Sequence, residues 1–220
     1  MRWMGLVPVV AMTLAACSAD SYDEGTGAFS LTQADFVELH SAAKGVADRA
    51  VTDDGRTLTL APPLSAEWLT TPDSTYRAVL YYNLTDGNRA ETVAASQVPT
   101  LRPRPLEEGD VAHTDPVRFE SMWMSAGGKY LNIGMYIKTG RSGDGGALQT
   151  IGMIDDGTTD NPDGTVTANM RLFHDQGGVP EYYSSRLYVS MACRDIAADS
   201  ISVTLVSYDG TVNRRFALGD

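Results

Sequence analysis

The sequence predicts an all-β chain, a small barrel followed by an antiparallel β-sandwich. Three observations lead there. Beyond the first twenty residues, no window carries apolar residues at the i, i+3, i+4 and i+7 positions that mark an amphipathic helix. Apolar and polar residues instead alternate with period two, segment after segment. Between these segments stand Asp-Gly, Gly-Gly and Asn-containing clusters of the kind that close hairpins.

The first segment is a targeting signal. Arg2 precedes an apolar run from Leu6 to Leu14 that is too short to cross a bilayer as a helix and has the length of a signal-peptide core. It ends in Leu14-Ala15-Ala16-Cys17, which resembles the bacterial lipoprotein signal. That resemblance implies removal of residues 1–16 and acylation of Cys17 as the new N-terminus. Two or more acyl chains give stable anchoring where one is marginal. Residues 17–27 are small and acidic, without apolar periodicity, and read as a tether.

The barrel occupies residues 28–103. Its strands fall at Phe29 to Leu39, Val46 to Thr52 and Thr57 to Ala61, the latter two joined through Asp53-Asp54-Gly55-Arg56. Tyr76 to Leu84 follows, with Tyr76, Ala78, Leu80, Tyr82 and Leu84 on one face, and turns through Asp86-Gly87-Asn88 into Arg89 to Gln97. A run containing Pro99, Pro103, Pro105 and Pro116 then breaks the pattern, because proline removes ladder donors and fixes φ. Residues 104–115 are expected to be a stiff linker, a commoner role for Arg102-Pro103-Arg104-Pro105 than proline-rich recognition.

The sandwich spans 116–220. Leu131, Ile133, Met135 and Ile137 oppose Asn132, Tyr136 and Lys138; Val166, Ala168, Met170 and Leu172 oppose Thr165, Thr167, Asn169 and Arg171. Leu187, Val189, Met191 and Cys193 repeat the pattern, as do Ile201, Val203 and Leu205. With Val117 to Trp123, Leu148 to Ile154 and Thr211 to Leu218 these make seven strands, which suggest two packed antiparallel sheets. With Cys17 acylated, Cys193 has no disulfide partner, and its phase makes it a buried, inert thiol.

The strings GGKYLNIGMYIKT (127–139), LFHDQGGVPEYYS (172–184) and DSISVTLVSYDG (199–210), in this order behind a lipobox, resemble the NigD-like lipoproteins of Bacteroidota. DDGRTLTLAP (53–62) and the hairpin after it are similar to that family's N-terminal domain. The resemblance implies an OB-like barrel ahead of the sandwich, no established enzymatic activity and no catalytic residues to carry over. It implies placement in the outer membrane, with the acidic stretch behind Cys17 similar to a surface-display signal. Asp73-Ser74-Thr75 and Asp199-Ser200-Ile201 resemble the O-glycosylation acceptor of the same bacteria, with Ser74 the expected site because Ser200 begins a strand.

Composition narrows the chemistry further. The net charge of −11 repels phosphate backbones, so no nucleic acid partner is expected. There is no nucleophile elbow, phosphate loop, dinucleotide fingerprint or His-Glu-x-x-His, and Ser125 and Ser142 sit in glycine-rich turns. His40, His113 and His174 are isolated in sequence, which leaves a metal site to long-range assembly alone; none is expected, nor any cofactor. Asp160-Asn161-Pro162-Asp163-Gly164 fails the calcium-loop register, with Thr159 at its first ligand position and Met170 at its last.

The most unusual polar cluster is His174-Asp175-Gln176 with Tyr182, at the end of a strand where binding residues tend to lie. Its structural alternative is a turn whose glycines supply positive φ and whose Asp175 bonds its own backbone. Convergence of Asp155, Asp156, Asp175 and Glu181 would instead signal a catalytic carboxylate pair. The expectation is a non-catalytic envelope lipoprotein that binds or scaffolds a protein or glycan, with bacteriocin immunity or a glycan-binding accessory role as alternatives. If Cys17 is the anchor, Cys17→Ser releases or mislocalises the protein, and mass analysis of the wild-type N-terminal peptide finds it beginning at acylated Cys17.

Overall fold

The computed structural model describes residues 31–141 and 147–219. Cys17, the signal, the tether and Ser142 lie outside them. Five strands close a barrel in the order β1-β2-β3-β5-β4: β1 (Gln33–Ala43), β2 (Val46–Thr52), β3 (Thr57–Ser65), β4 (Ser74–Asp86) and β5 (Arg89–Gln97). Its neighbouring pairs are antiparallel except β3 with β5, which pair in parallel through Thr59 with Arg89 and Leu60 with Ala90. Inward-phase residues Val37, Leu39, Leu58, Leu80 and Tyr82 fill the interior and are fully buried. The turn between β2 and β3 forms as its Asp-Gly pair predicts: Gly55 has φ +87° and donates to the Thr52 carbonyl.

Two four-stranded sheets form the sandwich, β6-β11-β8-β7 and β13-β12-β10-β9. They comprise β6 (Thr100–Leu101), β7 (Arg118–Met124), β8 (Tyr130–Thr139), β9 (Thr150–Asp160), β10 (Val166–Asp175), β11 (Tyr183–Ala192), β12 (Ser200–Ser207) and β13 (Gly210–Ala217). The apolar phases read from the sequence meet between them: Leu131, Ile133, Met135, Met170, Leu172, Val189, Met191, Ile201, Val203 and Leu205 share one core. Cys193 joins it, 4% exposed, and burial pushes its thiol up to about 11.

The sheets are mixed, where purely antiparallel ones were expected. β10 and β12 run parallel, Ala168 beside Ile201 and Met170 beside Val203, and β6 runs parallel to β11. The cause is the crossover: β11 lies in the opposite sheet, so the chain returns to β12 in the direction of β10. Alternation encodes which face a residue takes and carries no information about strand direction.

The proline-rich segment is also attached, near both of its ends. Leu101 packs into the sandwich core. Arg104 bridges Ile154, Thr114 bridges His174 and Val117 bridges Ser207. Proline limits pairing to such single bridges, because only the intervening residues have an N–H to give; that of Arg104, between Pro103 and Pro105, reaches the Met153 carbonyl at 3.1 Å.

Residues from Thr32 onward form one compact unit, and polar bonds tie barrel to sandwich within it. Arg77 points outward from β4, yet it is 4% exposed because the sandwich covers it. Its guanidinium grips the Asp53 carboxylate at 2.6 and 2.7 Å and donates to Asn132 Oδ1 at 3.1 Å and Ser190 Oγ at 3.2 Å. It also stacks 4.2 Å from the Tyr130 ring centroid. Beside it Glu38 of β1 accepts from Lys129 Nζ at 2.6 Å and from the Tyr130 hydroxyl. Phe36 meets Trp123 and Tyr188 edge-on, with centroids 5.2 and 5.3 Å away.

Burial alone raises the Glu38 carboxyl, but the bonds from Lys129 and Tyr130 and the nearby Arg77 charge outweigh it and hold the group below its ordinary value. The unfolded chain therefore binds this proton more readily than the folded one. The stabilisation is present above the unfolded value and is lost as pH falls through the folded one. In urea titrations from about pH 7 down to about pH 3, Glu38→Gln should be the less stable protein at neutrality and converge on wild type in acid. Parallel pH profiles for the two chains would contradict this.

Candidate functional site

One end of the sandwich gathers the chain entering β7, the residues before β9, the loop from β10 to β11 and the turn from β12 to β13. Of the residues singled out from the sequence, His174 takes the inward phase of β10 with Met170 and Leu172 and is 1% exposed. Its Nδ1 lies 2.9 Å from the Asp115 carbonyl and its Nε2 lies 2.8 Å from the Gln149 amide nitrogen. A carbonyl only accepts and an amide nitrogen only donates, so the ring carries its proton on Nδ1.

Gln176 completes the knot. Its backbone N–H donates to Asp115 Oδ2 at 2.7 Å, and its side-chain amide donates to the carbonyls of Lys138 and Val179 at 3.0 and 2.8 Å. Its Oε1 accepts from Gln149 at 2.8 Å. His174 and Gln176 thus join four separate stretches of backbone and have no atoms left for a ligand. Gly177 seals the loop: it has φ +57°, and a Cβ there would stand 1.9 Å from the Leu148 carbonyl oxygen.

Asp175 takes the outward phase and accepts the Gly177 N–H at 2.8 Å, the bond to its own turn that the structural alternative requires. Asp155 and Asp156, two of the carboxylates considered for catalysis, lie away from it. On the β9–β10 ladder Asp175 faces Thr150 and Met170 faces Asp155, which separates the two acids by five residues, roughly 17 Å of strand. Asp155 caps Gly157, and Asp156 is bound by Arg171 at 2.7 and 2.9 Å.

What this end exposes is aromatic. Tyr182 is 73% and Tyr183 67% exposed, their rings edge-on at 6.4 Å, and Tyr208 and Leu148 are exposed beside the same loops. Burial, with the charges of Glu181 and Asp115, raises the Tyr208 hydroxyl above its ordinary value. His113 and Asp115, whose backbone pairs with that of His174, sit in a stretch that reads as linker.

Elsewhere, Ser74 opens β4 with its hydroxyl bonded to the Pro72 carbonyl at 3.2 Å and is partly exposed, whereas Ser200 is buried against Thr167 and Arg215. Ser125 forms the turn before β8, its hydroxyl accepting the Tyr130 N–H at 2.9 Å. His40 pairs with Asp48 at 2.9 Å on the barrel surface. Asn161 and Asp163 bond Thr165 across the β9–β10 turn, which is held by its own chain.

No family model and no curated protein matches the sequence. The fold, however, is shared with solved structures. A NigD-like immunity protein from Bacteroides caccae superposes with TM-score 0.64 at 22% identity, covering 85% of this chain and 97% of its own. A protein of unknown function from Bacteroides vulgatus reaches 0.65 at 15% identity, with 86% and 92% covered. A candidate lipoprotein from Bacteroides fragilis reaches 0.63 at 10% identity, with 86% and 98% covered. The resemblance read from the sequence is therefore met by an architecture of the same kind, along nearly the whole length of each neighbour.

If the knot is structural, Gln176→Ala destabilises the protein by about 1–3 kcal/mol, the cost of leaving buried polar groups unpaired. Asp175→Asn, which keeps an oxygen for Gly177, should change stability far less. Chemical denaturation of both variants checks the contrast.

Proposed function

We propose that this is a lipid-anchored binding protein of the bacterial outer membrane, non-catalytic, which presents the loop end of its sandwich to a macromolecular partner. The observation that carries the reading is the contrast at that end. The polar residues His174, Gln176 and Gln149 are consumed in holding the loops together, while Tyr182 and Tyr183 stand exposed upon them. Exposed tyrosines on rigid loops supply large amphipathic contact area at little entropic cost. The signal ending at Cys17 supports export and anchoring, and the acidic surface argues against a nucleic acid partner.

Bacteriocin immunity or resistance is the more specific reading, favoured by the fold shared with a NigD-like immunity protein. Glycan binding is favoured by the two exposed tyrosines that follow Glu181 in the same loop. Capture of partners from the native envelope with the intact protein tests the proposal. Tyr182→Ser with Tyr183→Ser should abolish capture while leaving the melting temperature unchanged. Undiminished capture by the double variant would move the binding surface elsewhere, and a protein or a polysaccharide in the eluate decides between the two classes.

A further inference from the structure

Strand alternation brings three ligand-type side chains together where the sequence keeps them far apart. Thr114 and His174 stand opposite each other in a parallel bridge. Since His174 turns inward, its neighbours Phe173 and Asp175 take the outer face, and His113 and Asp115, flanking Thr114, take the same face. The contacts agree: the His113 ring is edge-on to Phe173 at 5.8 Å, and its Nδ1 lies 3.7 Å from Asp175 Oδ1.

One ligand atom from each of His113, Asp115 and Asp175 lies within 4.8 Å of the other two, and among the described residues no other such group occurs. Each carboxylate is oriented by a backbone N–H, Asp115 by that of Gln176 and Asp175 by that of Gly177. Such outer bonds hold metal-ligating carboxylates in place without exhausting their lone pairs. All three side chains are half-buried, so an ion there would be reachable from solvent and partly shielded from it.

We propose that His113, Asp115 and Asp175 form a divalent metal site that takes an ion of the Zn²⁺ class, with water completing its coordination. The donor set argues for the class: one imidazole and two carboxylates suit zinc and its transition-metal neighbours better than calcium or magnesium, which prefer oxygen alone. Two carboxylates also neutralise the ion. Ligands about 2.1 Å from a tetrahedral ion stand about 3.4 Å from one another, so the His113–Asp175 separation is already close. The other separations lie within 4.8 Å and would shorten as the ion binds. The site does not depend on the identity of the binding partner.

Without metal, the same residues would form only a His113–Asp175 ion pair, and titration separates the two states. The metal-stripped full-length chain is titrated with zinc chloride and followed by calorimetry. One ion should bind with micromolar affinity. His113→Ala and Asp175→Asn should each weaken binding by about tenfold or more, and their melting temperatures without metal should stay at the wild-type value. His40→Ala, which removes the barrel-surface His40–Asp48 pair, should bind as wild type does. The proposal is overturned if wild type shows no saturable binding, if binding survives both His113→Ala and Asp175→Asn, or if His40→Ala loses it equally.

Discussion

The structure depends on a buried guanidinium. Arg77 leaves the barrel on the outward phase of β4 and is enclosed by Asp53, Asn132, Ser190 and the Tyr130 ring. A charge removed from water is costly unless it is paired and fully bonded, and removing one partner of such a pair costs about 3–5 kcal/mol. Each partner here comes from a different place: Asp53 from the β2–β3 turn, Asn132 from β8 and Ser190 from β11. The network is satisfied only when all of them are docked in register. An apolar interface would tolerate sliding, whereas this one penalises it, so the barrel and sandwich meet in one arrangement.

The same rule operates at the loop end. His174, Gln176, Gln149 and the carboxylate of Asp115 form a second closed set, in which every buried donor meets an acceptor. Sequence unusualness and functional role separate here. The polar cluster that looks most like a site contributes two residues to the scaffold, His174 and Gln176. It leaves Asp175 and Tyr182 on the surface. Chemistry at this end therefore belongs to what the scaffold presents, and the scaffold is rigid because its polar groups are satisfied.

Much of the fold was legible because period-two alternation reports burial directly. The inward phases of β4, β8 and β12, that of β10 from Ala168 onward, and the buried phase of Cys193 follow from it; at the start of β10 Thr167 is buried in place of Val166, ahead of a register shift between Ala168 and Met170. Three things were not legible, each for a physical reason. Strand direction is absent from the pattern, so the parallel pairing of β10 with β12 was missed. Alternation distinguishes the inside of a barrel from its outside but does not say which part of the outside another domain will cover. Asn132, set opposite the apolar phase of β8, and Arg77, between the inward Tyr76 and Ala78, are buried nonetheless. Prolines at 103, 105 and 116 disguised an extended segment whose intervening residues still pair, which concealed His113 and Asp115.

The phase rule also explains how a chain of this architecture could change its function without losing its fold. On β10 the inward residues Met170, Leu172 and His174 are buried, whereas Arg171, Phe173 and Asp175 are half-exposed. Substitution on the inward set removes packing or leaves a buried polar group unpaired, at a cost that is a large fraction of a domain's total stability. Substitution on the outward set costs little, because surface changes away from such features stay within about half a kcal/mol. A chain with this fold is therefore free to differ at His113, Asp175, Tyr182 and Tyr183 while keeping the knot beneath. Low sequence identity with a shared architecture, as between this chain and its structural neighbours, is what that asymmetry produces.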